Sequence, residues 1–176
     1  MKKLIDFILF FVSIFLVFFA HSFIFLILPY PFSQINLVFA TVILMIIWYE
    51  SGWVVWYAFL LFLLLDFYSA LPFGITLFSG TMTSLIIFYL YLNIFTNKSW
   101  YGVLALTFLS LILFRILYFI LIITNSLIFN EDFSFISKDF FSLMSWEIFS
   151  TTIFLSVIFI FLTKFTKKLN SARIHS

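Results

Sequence analysis

Long apolar runs, repeated along nearly the whole chain and almost free of charge, constrain this sequence more than any other feature. They extend from Leu4 to Leu28 and then, approximately, from Phe32 to Tyr49, Trp53 to Ala70, Ile75 to Phe95, Gly102 to Phe129 and Met144 to Thr163. A helix needs ~20 residues to cross ~30 Å of hydrocarbon, and most of these runs approach that length. With 65% hydrophobic and 9% charged residues among 176, the chain carries more apolar surface than a soluble core of this size can hide. Membrane strands would alternate over segments of about ten residues, whereas these runs are apolar on consecutive positions. The expected fold is an all-α integral membrane protein, a bundle of six transmembrane helices. Residues 1–163 form a single domain, and 164–176 a basic, mobile cytoplasmic tail near the lipid headgroups.

Charge placement sets the orientation. The segment Glu50-Ser51-Gly52 either turns the chain between two short helices or lies inside one long helix from Val38 to Leu65. With a turn, Lys2, Lys3, Lys98, Lys164, Lys167, Lys168 and Arg173 fall inside, against Lys138 alone outside, which obeys the positive-inside rule. Without it, Lys98 and the basic tail move outside and a carboxylate lies at mid-bilayer. Trp48, Tyr49, Trp53, Trp56 and Tyr57 bracket Glu50 as an interfacial aromatic belt would. The turn is therefore expected, with both termini in the cytoplasm of a bacterial inner membrane. Ala20-His21-Ser22 resembles a signal cleavage box, but the run from Leu4 to Leu28 exceeds a signal core and reads as an uncleaved first span. The absence of Cys excludes disulfides and thiolate metal sites, and a net charge of +2 gives no reason to expect nucleic acid as a partner.

Polar groups inside the spans are few, and each is costly unless paired, hydrated or interfacial. Arg115, halfway along the fifth span, needs a carboxylate or a snorkelling route, and Asp66 and Glu147 are the possible partners. Such an intramembrane ion pair would fix helix docking or contribute to a partner's binding site. Glu147 also reads as an exposed interfacial acid favoured by a helix amino-terminal dipole, and Asp6 as an acid near the cytoplasmic face. His21 and His175 lie on opposite sides, so they do not share a metal. Gly52, Gly74, Gly80 and Gly102 are scattered rather than gathered in a phosphate loop, and no Ser has a plausible His-Asp pairing. No catalytic residue, cofactor or metal site is expected. Thr76, Gly80 and Ser84 recur every four residues in span four and, with Ser79 and Thr83, give a small hydroxyl-bearing face for helix packing or for a partner or substrate path.

The strongest local signal is Leu63-Leu64-Leu65-Asp66-Phe67-Tyr68-Ser69-Ala70-Leu71-Pro72-Phe73-Gly74. Asp66 and Ser69 can satisfy freed backbone groups, Pro72 lacks a donor and Gly74 permits unusual dihedrals, so the stretch reads as a tight turn between spans three and four. In Asp66, Ser69, Pro72 and Gly74, in its length and in its layout of short spans with a basic link at Asn97-Lys98, the chain resembles the rod shape-determining protein MreD family. That resemblance implies a non-enzymatic membrane scaffold of the bacterial cell-elongation machinery. Its expected partners are an MreC-like bitopic membrane protein and, indirectly, the MreB filament and the peptidoglycan synthases. The layout is also similar to the S-component of energy-coupling-factor vitamin transporters, which is the alternative reading. Those subunits commonly dock through Ala-x-x-x-Ala in the first helix, and no two alanines here stand four apart. A reporter fused after Ser51 is expected on the cytoplasmic side; an external location would break the six-span topology.

Overall fold

The computed structural model describes residues 2–95, 99–129 and 138–174, and every regular element among them is helical. The helices are α1 (Lys2–Ile27), α2 (Leu37–Tyr49), α3 (Trp53–Tyr68), α4 (Ile75–Asn93), α5 (Trp100–Phe129) and α6 (Lys138–Ile174). Four segments, Leu4–Ile27, Ile75–Asn93, Trp100–Ile128 and Ser142–Lys164, are long and apolar enough to cross a membrane, which makes the chain a multi-pass membrane protein.

The other two helices differ from the expected spans. α2 has 13 residues and α3 has 16, so they reach only about 20 and 24 Å. The second apolar run does not open as α-helix at Phe32. A 3₁₀ turn covers Phe32–Gln34, and α2 starts at Leu37 because the Asn36 side chain accepts the Phe39 N–H at 3.1 Å. The chain does turn at Glu50, which takes a left-handed conformation (φ 48°) as the carboxy-terminal cap of α2. Tyr91, near the end of α4, holds this turn by donating to the Glu50 carboxylate at 3.1 Å.

The sequence reads Asn130 to Asp139 as the longest outer loop, and its last two residues, Lys138 and Asp139, belong to α6. The rest of that loop from Asn130, the basic link Asn97-Lys98 and His175 lie outside the described residues. The basic segment expected as a mobile tail continues α6 as far as Ile174.

Burial explains why a 13-residue helix suffices in second position. α2 packs against every one of the other five helices. Its buried residues Val38, Phe39, Ala40, Val42, Ile43, Ile46 and Ile47 occupy nearly consecutive positions rather than one stripe, the pattern of a helix surrounded by protein. The longer helices face lipid, so α2 need not match the bilayer thickness. Beside it, the rings of Phe39, Phe62 and Phe114 form a cluster with centroids 5.0 to 5.9 Å apart, joining α2, α3 and α5.

The small-residue face of α4 lies at this centre. Ser79, Gly80, Thr83 and Ser84 are buried and Thr76 is half-buried. The hydroxyls of Ser79, Thr83 and Ser84 donate to carbonyls of their own helix, to Ile75, Ser79 and Gly80 respectively, at 2.7 to 2.8 Å, rather than across the contact. Satisfied locally, they leave a smooth surface against which a neighbour can pack. Gly80 sits under the Phe62 ring, and a Cβ there would collide with it. Gly80→Ala is therefore expected to lower stability by about 1 to 3 kcal/mol. Phe62→Leu in the same chain should recover part of that loss, and equal thermal melting of wild type and Gly80→Ala in detergent would refute the close approach.

Candidate functional site

The motif from Asp66 to Gly74 folds as one unit. α3 ends where Ser69 turns back, its N–H and hydroxyl both donating to the Asp66 carbonyl at 3.1 and 3.0 Å. Pro72 contributes no donor and accepts the Ile75 N–H at 3.5 Å, while Gly74 stands at φ 104°, a conformation strained for any side chain. α4 thus begins after a glycine that cannot cap it. The cap comes from the preceding helix: Asp66 Oδ2 accepts the Gly74 N–H at 2.6 Å, and Oδ1 accepts those of Thr76 and Leu77 at 2.9 and 3.2 Å. Three of the free amides of α4 and the positive end of its dipole meet one carboxylate, which explains how Asp66 is tolerated when 2% exposed.

Of the two carboxylates open to Arg115, the one it meets is Glu147. The Arg115 Nε donates to Glu147 Oε2 at 2.7 Å, and an η-nitrogen donates to the same oxygen. The guanidinium also lies over the rings of Phe114 and Tyr118, 5.6 and 5.7 Å from their centroids. Glu147 is buried, not an exposed interfacial acid, and its second oxygen accepts from Asn36 Nδ2 at 2.7 Å.

Asn36 is the functional-looking residue that the sequence reading overlooked. Besides capping α2 and holding Glu147, it donates its backbone N–H to Thr151 Oγ1 at 2.8 Å. Thr151 stands one turn beyond Glu147 on α6, so both face Asn36. The available signal was an Asn directly before an apolar run, a recognised helix start.

Asp66, Arg115 and Glu147 all lie within electrostatic reach of Tyr118, so the motif turn and the ion pair share one region of the bundle. His21 borders it from α1: it lies within electrostatic reach of Glu147, and its buried Nδ1 has no hydrogen-bond partner among the described residues. The small face of α4, with Gly80 and Ser84, serves helix packing at the core. Chemically, the groups brought together are a capped carboxylate and a hydrogen-bonded ion pair, an arrangement that fixes helix ends and shapes a surface. Compared with family models, with curated proteins and with solved structures, the chain finds no match.

Arg115→Met is expected to destabilise the fold by roughly 3 kcal/mol, because Glu147 stays buried without its cation. Arg115→Met combined with Glu147→Gln should recover much of this, since Gln still accepts from Asn36 and carries no charge. Thermal unfolding that ranks the double variant below the single one would contradict the pairing. Asp66→Ala should cost about 2 kcal/mol through the uncapped amides, and Asp66→Asn less, as one acceptor oxygen survives. Hydrogen exchange at Gly74, Thr76 and Leu77 is the direct readout.

Proposed function

We propose that this chain is a non-enzymatic scaffold of the bacterial inner membrane that serves the cell-elongation machinery, as the resemblance to the MreD family implies. It receives the transmembrane helix of an MreC-like bitopic protein and, through that partner, joins the MreB filament and the peptidoglycan synthases. In this reading α2 and α3 also count as spans, giving six with both termini cytoplasmic, a layout similar to the S-components.

The observation that supports it best is that Asp66, Ser69, Pro72 and Gly74, the positions that carry the resemblance, make a single rigid turn. That turn displays Phe67, Tyr68 and Phe73 outward, with the rings of Phe67 and Phe73 packed at 5.3 Å. A rigid turn presenting exposed aromatics suits recognition of another helix, because little order is lost on docking. The ion pair of Arg115 and Glu147 braces the helices behind it.

Co-purification with the bitopic partner from a membrane extract tests this. Phe67→Ser with Phe73→Ser, which leaves the Asp66 cap intact, is expected to reduce the recovered complex at least about tenfold if the aromatics act as hot spots. Asp66→Ala and Arg115→Leu should weaken it through the shape they maintain. Undiminished complex with all of these changes would remove the turn and the ion pair from the interface.

A further inference from the structure

α2 stands among the other five helices, but they do not close around it. In the order α1, α3, α4, α5, α6, each packs on the next, while α6 and α1 share no comparable contact. The two are linked at one end, where the 3₁₀ turn packs on both and the rings of Tyr30 and Trp146 meet at 6.0 Å. Beyond that link the ring is open to the side.

The part of α2 left unburied matches this opening. Leu37, Thr41 and Leu44 are half-buried and Trp48 is exposed. They fall within about 60° of the helix circumference, the share of one neighbour among about six around a close-packed helix. Their spacing of four, three and four residues is that of a coiled-coil seam. A hollow of about 330 Å³ sits on the carboxy-terminal half of this stripe, and the residues that line it, Leu44, Met45, Trp48 and Tyr49, all belong to α2.

Lipid is a poor filling for the opening. α2 reaches only about 20 Å and is bracketed by the 3₁₀ turn and the turn at Glu50, so acyl chains there would meet irregular backbone, which hydrocarbon does not tolerate. Charge indicates what kind of protein helix fits. Because α6 starts beside Tyr30, it runs back towards the start of α1. Lys164, Lys167 and Lys168 of α6 therefore lie at the same end as Lys2 and Lys3 of α1, against two carboxylates, Asp6 and Glu50, of which Glu50 is engaged by Tyr91. That mouth of the opening is net positive.

We infer that the opening between α1 and α6 is the seat of a transmembrane helix from a second polypeptide, laid along Leu37, Thr41, Leu44 and Trp48 and flanked by acidic residues at the lysine-bearing end. The seat is made of α1, α2 and α6 instead of the turn between α3 and α4, and it does not rest on the scaffold reading.

The chain has no cysteine, so Leu44→Cys places a single thiol in the seat and Phe108→Cys a single thiol on the exposed face of α5. Each full-length variant is reconstituted in phosphatidylcholine vesicles with a synthetic leucine-alanine transmembrane peptide. The peptide carries one cysteine at the depth of the protein thiol and either aspartates or lysines at one end. On mild oxidation the aspartate-flanked peptide should join the Leu44→Cys variant in at least about fivefold higher yield than the lysine-flanked one, as several surface ion pairs together allow. Salt should narrow that difference, and so should Lys164→Gln with Lys167→Gln. Adding Thr41→Trp or Leu37→Trp, whichever melts like the parent variant, fills the seat and should lower the yield with both peptides. The inference is overturned if the two peptides join the Leu44→Cys variant equally, if the Phe108→Cys variant is joined as readily, or if the filled seat changes nothing. It is also overturned if the Leu44→Cys variant forms only its own disulfide dimer, which would make a second copy the occupant.

Discussion

A carboxylate inside a membrane bundle must be met by donors, and Glu147 is met from two directions at once. Arg115 on α5 neutralises it on one side, and Asn36 at the head of α2 donates from the other. Because Asn36 also caps α2 and binds Thr151, the position of the central helix, the pairing of α5 with α6 and the satisfaction of the buried Glu147 by the half-buried Arg115 are one arrangement. Removing Arg115 leaves the buried Glu147 carboxylate with a neutral donor, Asn36, but no cation, so the charge balance of the cluster depends on the pair. The Phe39, Phe62 and Phe114 cluster supplies the apolar counterpart.

Asp66 solves the same problem differently. It uses backbone amides where Glu147 uses a cation, and this fits the covalent geometry: the amides it needs start only eight residues downstream, across a turn made short by Pro72 and Gly74. The two carboxylates thus play different roles, one closing a turn within a hairpin of helices and one joining elements distant in sequence.

Much of this was legible in the residues. The turns at Glu50 and at Asp66 to Gly74 interrupt apolar runs with polar, proline or glycine positions, and Arg115 could be tolerated only beside an acid or at a surface. Choosing between Asp66 and Glu147 was not possible from the chain alone, because it depends on which carboxylate the α4 amides already hold. Asn36 was hidden inside what reads as a continuous span from Phe32. The shortness of α2 was hidden too, since an apolar residue facing lipid and one facing protein look alike in a sequence. The fit of Phe62 over Gly80 lies between two helices whose relative rotation no spacing rule specifies.

The central place of α2 bears on how such a chain is made. A 13-residue helix with a buried surface on nearly all sides has no stable resting place in lipid by itself. The groups that complete its amino-terminal end, Glu147 and Thr151, sit on α6, which is synthesised after the other five helices. The middle of the bundle therefore waits for α6: α1 to α5 can be inserted in order, but the bundle locks only when α6 arrives, and a chain truncated before Glu147 is left with an open centre for the quality-control proteases of the membrane.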